Sequence, residues 1–307
     1  MLRAIEAFRP IFAARGIEIT TPKVVQVLSE KELIELVPQF DGWIIGDDPA
    51  TARVFEAAKR GRLKAAVKWG VGVDNVDFTA CQRLGIPISN TPGMFGREVA
   101  DVAMGYVIAL ARQTFEIDRG VKAGQWTKPA GISLAGKTVA LAGFGDIGRN
   151  TAKRLLASEM RVIAYDPYFT PAPGLEPVES AIWPDRIEEA DFLVLTCALT
   201  RENRHMVGAP VLARAKRGLR IVNVARGPLL DEAALAQALA EGRVHSAALD
   251  VFETEPLPAA SPLRAFGEKC LFGSHNSSNT VDAVERTSLK AIDLMCGYLN
   301  LSTSSST

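Results

Sequence analysis

The chain reads as an α/β protein built on doubly wound parallel sheets, and three features of its 307 residues say so. Short apolar runs rich in Val, Ile, Leu and Ala alternate with segments of helical period. That is the pattern of strands buried on both faces and the helices that cross between them. The run Thr138–Ala142 meets Gly143, Gly145 and Gly148 in the order G-x-G-x-x-G, after which Ile147, Ala152, Leu155 and Leu156 fall on one side of a helix. About 20 residues further on, RVIAYDP supplies a second strand that ends in Asp166. Two Rossmann-like or flavodoxin-like domains with a cleft between them follow from these features, divided as residues 1–100 plus 281–307 and residues 101–280.

In order, MLRAIEAFRPIFAARG predicts a helix and GIEITTP a short strand. An α/β unit ordinarily opens on a strand, so a first strand missing from this end would leave a sheet edge exposed. LSEKELIELVPQ predicts a helix with Ser29 as N-cap and Glu32 completing a capping box. GWIIGD, LKAAVKWG and IPISNTP predict strands, separated by helices in PATARVFEAAKRG and FTACQRLG. Val99–Gln113 is a long apolar helix, followed by the polar, turn-rich TFEIDRGVKAGQWTKPAGISL. Beyond Asp166 come a proline-rich loop, a helix near Asp185–Ala190, and strands in FLVLTCA, LRIVNVA, VHSAALDVF and CLF. MVGAPVLARAK and DEAALAQALAEG predict the intervening helices, VDAVERTSLKAIDLMCGYL a last amphipathic helix that returns to the first domain, and STSSST a disordered tail.

Composition narrows the function. Formal net charge is zero, which gives no basic footprint for nucleic acid. No apolar run approaches the ~18 residues of a membrane span, and no signal peptide is visible. The four cysteines, Cys81, Cys197, Cys270 and Cys296, are scattered without a metal-binding spacing, as expected of reduced thiols in a cytoplasmic protein that holds no metal.

The glycine-rich turn predicts dinucleotide binding. Gly143 makes the turn, Gly145 lets a phosphate approach the backbone, and Gly148 lets helix and strand pack closely. The helix start at Asp146 and Ile147 offers N–H groups and a positive dipole end to a pyrophosphate. Asp166 stands where a carboxylate holds a ribose 2′-hydroxyl and repels a 2′-phosphate, so the expected cofactor is NAD.

Ligands of an open parallel sheet sit at the carboxyl ends of its strands. That rule selects Cys197, Ala198 and Thr200 in CALT, the NVARG segment with Arg226, the DVFETEP segment, and the loop GSHNSSN with His275 and Ser277. Of the three histidines, His275 lies at a strand end and suits a proton carrier. His205 reads as a surface or packing residue at a polar helix start, and His245 begins a strand at the opposite end of the sheet. Arg226 suits either a structural cap or an anionic substrate. Glu253 or Glu255 could orient His275. In KWGVGVDNVD, Gly70 and Gly72 leave backbone N–H groups to hold a carboxylate, and Asp74, Asn75 and Asp77 cap the next helix.

The ordered set GVGVDNVD, NTPG with EVAD, GFGDIG with YDP, NVARGPLLDEAAL, AALDVFETEP and SHNSS resembles the D-isomer-specific 2-hydroxyacid dehydrogenase family over nearly the whole chain, with a flavour of its phosphoglycerate dehydrogenases. The resemblance implies an NAD-dependent oxidoreductase of a D-2-hydroxy acid, with residues 101–280 holding the cofactor and the other domain the substrate. Arg226 then matches the substrate-binding arginine, Glu255 rather than Glu253 the catalytic acid, and His275 the catalytic histidine. Asp250, Val224, Ala225 and Arg226 match nicotinamide-side contacts, and Val71 and Gly72 the carboxylate loop. Lys68 and Arg97 would meet a phosphate were the substrate 3-phosphoglycerate; glyoxylate, hydroxypyruvate and an aliphatic hydroxy acid are the alternatives, as is a corepressor-like NAD-sensing protein that does not turn over. The long apolar helix and the arm with Trp126 resemble homodimer contacts. The loop departs from the family in lacking Pro before the histidine and Gly after it.

Overall fold

The computed structural model describes residues 1–24 and 27–301; the tail expected to be disordered, residues 302–307, lies outside them. The chain divides into two compact units, Met1–Phe95 with Asn279–Thr307, and Gly96–Ser278.

The first unit begins with α1 (Ile5–Ala14), then α2 (Glu30–Leu36), β1 (Gly42–Ile45), α3 (Ala52–Arg60), β2 (Ala65–Lys68), α4 (Phe78–Leu84) and β3 (Ile88–Asn90). Its sheet is parallel in the order β1-β2-β3. Side chains of the fully buried β2 alternate between two hydrophobic clusters. Ala66 joins Val54, Phe55 and Ala58 of α3, while Ala65 and Val67 join Ala291 and Met295 near the C-terminus. Sequence-local signals set the helix ends. Ser29 and Glu32 form the reciprocal capping box, Asp77 caps α4 through the Ala80 N–H, and Gly85 ends it in the left-handed region.

GIEITTP corrects the sequence reading. Ile17 and Ile19 pack against Phe8, Phe12 and Ile292, but the segment pairs with no strand among the described residues. Hydrophobic alternation supplied the packing face; a strand also needs a partner for its N–H and C=O groups.

The second unit runs α5 (Gly96–Arg112), α6 (Thr114–Lys122), β4 (Thr138–Ala142), α7 (Asp146–Ala157), β5 (Arg161–Tyr165), β6 (Glu179–Ser180), β7 (Phe192–Leu195), α8 (Ala209–Arg214), β8 (Leu219–Asn223), α9 (Glu232–Ala240), β9 (Val244–Leu249) and β10 (Cys270–Phe272). The last helix, α10 (Val281–Tyr298), belongs to the first unit. All seven strands of the second sheet are parallel, in the order β6-β5-β4-β7-β8-β9-β10. The order reverses direction beside β4, which places the glycine-rich turn at the switch point where doubly wound sheets bind ligands. Ala140, Ile163, Leu193 and Ile221 bury one face of the sheet with Leu212 of α8 and Leu235 and Leu239 of α9. Val139, Leu141, Val194 and Val222 are fully buried on the other face, against which α5 and α7 pack.

Two further expectations change. The polar stretch after Gln113 contains α6, set off from α5 by a left-handed Gln113. Only Gly120 of α6 is buried, so the helix carries no core stripe to betray it, and the i,i+4 pair Asp118–Lys122 at 2.8 Å supports it instead. The helix expected near Asp185–Ala190 is a single 3₁₀ turn, Ile187–Glu189.

Candidate active site

The turn after β4 is shaped by close approaches that only glycine permits. A Cβ on Gly148 would lie 2.1 Å from the Gly143 carbonyl oxygen, and one on Gly143, which has a φ of 98°, would lie 2.6 Å from the Cys197 nitrogen. Gly145 differs: its φ is −75° and a Cβ there would meet nothing within 4 Å, so the turn is open above it. The first N–H groups of α7, from Asp146 and Ile147 onward, have no intrahelical acceptor and point out of that opening. The Asp146 carboxylate does not. It accepts from Asn150 Nδ2 at 3.1 Å and lies over Gly96, where a Cβ would stand 2.3 Å from its Oδ2. Only the backbone of Asp146 remains to serve a phosphate.

Asp166 ends β5 as expected, and its carboxylate is already oriented. Oδ2 accepts from the Phe144 N–H at 2.6 Å and Oδ1 from the Tyr168 N–H at 2.8 Å. Each oxygen keeps a second lone pair, enough for a ribose diol. An open glycine turn, a helix N-terminus and an oriented carboxylate fit a dinucleotide, and NAD is the one that meets no charge conflict at Asp166.

The ends of β7 and β8 supply backbone more than side chains. Cys197 turns its sulfur to Met206 at 4.0 Å, and burial pushes its thiol up to about 11. Ala198 O and the Thr200 N–H are bonded by the Asn203 side chain at 2.8 and 2.7 Å, and the hydroxyl of the exposed Thr200 accepts from the Asn203 N–H at 3.4 Å. Val224 and Ala225 are buried. Asn223, which opens the NVARG segment, is fully buried and sets the turn. Its amide donates to the Arg226 carbonyl at 2.9 Å and accepts from the Ala225 N–H at 3.0 Å. Arg226 Nη1 donates to its neighbour's carbonyl at 2.8 Å, and Gly227 lies flush on the next loop, where a Cβ would stand 1.9 Å from the Phe252 carbonyl carbon.

That loop carries both glutamates, and their directions separate them. Glu255 Oε1 accepts from the Phe252 N–H at 2.9 Å, and its Oε2 lies 2.7 Å from His275 Nδ1. Glu253 turns away, to Glu232 and His205. Because an ionised carboxylate only accepts, the bond to Glu255 keeps a proton on His275 Nδ1, and in the neutral ring Nε2 is then the basic nitrogen. His275 adopts a φ of 54°, uncommon for a residue with a side chain, and Asp250 holds it there. Asp250 is 2 % exposed; its carbonyl accepts from the His275 N–H at 2.6 Å, and its carboxylate accepts from the N–H groups of Asn276 and Ser277 at 3.1 and 2.8 Å and from the Ser277 hydroxyl at 2.5 Å. Asp250 and Ser277, expected as cofactor contacts, thus spend these groups on the histidine loop. Arg226, Glu255 and His275 follow β8, β9 and β10, adjacent strands, at the same end of the sheet.

In the first unit, Lys68 corrects the expectation of an open cation. Its side chain is 3 % exposed and its ammonium donates to the Gly46 carbonyl at 2.6 Å, with Asp47 at 3.3 Å. The Gly70 N–H is also committed, to Thr91 Oγ1 at 2.8 Å. The N–H groups of Val71 and Gly72 carry no partner among the described residues, while the Val71 carbonyl accepts from Asn90.

The chain is similar to several known proteins. The family model for the NAD-binding domain of D-isomer-specific 2-hydroxyacid dehydrogenases matches residues 104–277, within the second unit. The hydroxypyruvate reductase of Thermotoga maritima is 39% identical over 82% of this chain and 80% of its own. A D-3-phosphoglycerate dehydrogenase of Methanocaldococcus jannaschii is 36% identical over 87% of the chain, which spans only 51% of that relative. Among solved structures, the TT0316 protein of Thermus thermophilus superposes with a TM-score of 0.87 at 32% identity, covering 96% of this chain and 94% of that one.

Proposed function

Because the chain belongs to the D-isomer-specific 2-hydroxyacid dehydrogenase family, we propose that it interconverts a D-2-hydroxy acid and its 2-oxo acid, with His275 as the proton carrier. The 2.7 Å contact between His275 Nδ1 and Glu255 carries this reading, because it leaves Nε2 as the nitrogen that takes the proton.

NAD, when bound, accepts or returns the hydride at C2 of the acid. Gly145 and the N–H groups of Asp146 and Ile147 would hold its pyrophosphate, Asp166 its ribose diol, and the Val224–Arg226 backbone its nicotinamide side. His275 Nε2 takes the C2 hydroxyl proton during oxidation and gives it back to the carbonyl oxygen during reduction. Glu255 holds the ring and offsets the charge that the proton brings. Arg226 grips the substrate carboxylate and polarises the carbonyl. A phosphorylated substrate needs cations beyond Arg226. Lys68 is committed to Gly46 and Asp47, so of the two cations considered only the exposed Arg97 would remain. That favours an unphosphorylated 2-oxo acid of the glyoxylate or hydroxypyruvate kind over 3-phosphoglycerate.

The second unit acts as the cofactor domain and the first as the substrate-binding domain. Ile108, Phe115, Val121 and the 78 % exposed Trp126 place apolar surface on α5, α6 and the arm beyond, which supports a homodimer. Free thiols at all four cysteines support a reducing compartment such as the cytoplasm. No helix among the described residues is long and apolar enough to cross a membrane.

Absorbance at 340 nm during a screen of 2-oxo acids with NADH tests the reading. Glyoxylate or hydroxypyruvate should be reduced, and His275→Ala should lower kcat by about 10²–10⁴-fold while NADH binding persists. An His275→Ala enzyme with near-normal kcat, or a protein that binds NADH and reduces none of the acids, overturns it.

A further inference from the structure

The molecule holds a second histidine–glutamate pair beside the first. His205 Nε2 lies 2.9 Å from Glu253 Oε2, two residues along the loop from Glu255. The two imidazoles share an unusual backbone, with φ of 53° at His205 and 54° at His275, and each is 36 % or less exposed at its side chain. A non-glycine residue is held in the left-handed region only when its surroundings over-determine it.

What surrounds His205 shows what it joins. Its N–H donates to the Pro228 carbonyl at 2.7 Å, and two residues on, the Val207 N–H donates to the Leu229 carbonyl at 3.1 Å. Pro228 and Leu229 lie in the 3₁₀ turn that starts at Gly227, directly after Arg226. The imidazole of His205 reaches the other way, to the loop that bears Glu255. That loop is tied from a second side by a reciprocal pair: the Glu253 N–H donates to Glu232 Oε1 at 2.7 Å, and the Glu232 N–H donates to Glu253 Oε1 at 3.0 Å. Burial beside Glu253 and Glu255 raises the Glu232 carboxyl above the usual carboxylate range. Glu253 therefore spends one oxygen on α9 and the other on His205. Arg204, at 3.5 Å from Glu253, is 56 % exposed and adds little in water.

We propose that His205 is a positioning residue, which through Glu253 fixes the loop carrying Glu255 against the turn carrying Arg226 and so sets the Glu255–His275 contact. The inference rests on the reading of His275 and Glu255 above. An ionised Glu253 only accepts, so the ring proton of His205 sits on Nε2. Removing that donor leaves a half-buried carboxylate oxygen without its partner and releases one of the two ties on the loop. Arg226 and Glu255 then lose their mutual register. Misplacement by about 1 Å at a reacting centre costs about 10²-fold in rate.

Three purified variants test this. His205→Phe fills the space without a donor, His205→Gln keeps an amide N–H within reach of Glu253, and His205→Ala in a Glu253→Ala background removes both partners. For His205→Phe, kcat should fall about ten- to a hundredfold with the KM for NADH unchanged. The low-field N–H resonance of His275 should move toward that of free imidazole. His205→Gln should recover both kcat and the resonance to within about threefold and the wild-type position respectively. If His205→Phe does not fold, His205→Asn, which keeps an amide too short for the span, is held to the same criteria. Wild-type kcat with an unmoved resonance in the donorless variant overturns the inference, as does an equal loss in His205→Gln. The double variant also removes the Glu253 Oε1 that accepts from the Glu232 N–H, so it should be at least as slow as His205→Phe; a wild-type rate in it overturns the inference. A turnover-competent His275→Ala enzyme instead removes the reading on which the inference stands.

Discussion

Glu255→Gln separates charge from shape at the histidine. Glu255 makes two bonds, Oε1 from the Phe252 N–H at 2.9 Å and Oε2 to His275 Nδ1 at 2.7 Å. Glutamine is isosteric, and its single amide oxygen is claimed by the Phe252 N–H, which has no other way to be satisfied by that side chain. The amide nitrogen is then presented to His275 Nδ1. Two donors cannot share a bond, so Nδ1 must become the acceptor and the ring proton must move to Nε2, the atom that receives the substrate proton. Losing a charge-assisted bond is by itself worth about 1.5–3 kcal/mol, or roughly 10- to 150-fold in rate. The wrong tautomer adds to that, and the comparable change at a serine-protease triad costs about 10⁴-fold. We expect kcat for reduction of the best 2-oxo acid to fall by about 10³–10⁴-fold at neutral pH. The NADH dissociation constant, read by protein fluorescence quenching, should stay within about twofold, since Glu255 touches no expected cofactor group. The assay is steady-state NADH oxidation with enzyme in sufficient excess to detect the residual rate. A loss smaller than about tenfold, with folding and NADH affinity intact, would refute the tautomer argument.

Two further outcomes follow from the same geometry. Gly145→Ala and Gly148→Ala should part stability from binding: the first has open space and an ordinary φ, so its melting temperature should hold while NADH affinity drops; the second sets a methyl 2.1 Å from the Gly143 carbonyl, so it should lose about 1–3 kcal/mol of stability and NADH binding together. Equal melting temperatures for the two variants would contradict this. At the other end of the sheet, burial first, then Arg220 and Lys269, lowers the pKa of His245. A depressed histidine favours the folded state above its unfolded pKa of about 6.5, and that contribution is lost as pH falls through the lower folded value. His245→Gln should therefore flatten the decline in melting temperature between pH 7 and pH 5; an unchanged slope would assign it to other groups.

The sheet of the second unit was legible because each of its signals is local. Gly143 and Gly148 announce contacts that exclude any Cβ, and five-residue runs such as Thr138–Ala142 have both faces buried, which leaves no alternative to a central parallel strand. The rule of strand ends led to His275 and the DVFETEP loop, but the choice between Glu253 and Glu255 depends on which way each side chain turns, and residues two apart in a loop carry no periodicity to show it. His205 was invisible for a different reason. Its partner is 48 residues away, and a histidine in a polar turn looks the same whether it meets solvent or a carboxylate. Lys68 misled because a cation at the end of a strand suggests exposure; its ammonium in fact snorkels no further than the Gly46 carbonyl beside it. GIEITTP had the composition of a strand, yet pairing is a property of two segments and no single one can declare it.

The aspartate that ends β9 gives the imidazole loop a rigid footing before any ligand arrives. With its carbonyl holding the His275 amide and its carboxylate holding the next two residues, the segment has no slack left to lose. Substrate binding then carries no entropic charge for assembling the base, and the full interaction energy of the acid is free to act on the barrier. Such a loop is also hard to retune. Any change in which acid the protein prefers has to come from the residues that greet the far end of the substrate, while the proton-handling core travels unaltered from one specificity to the next.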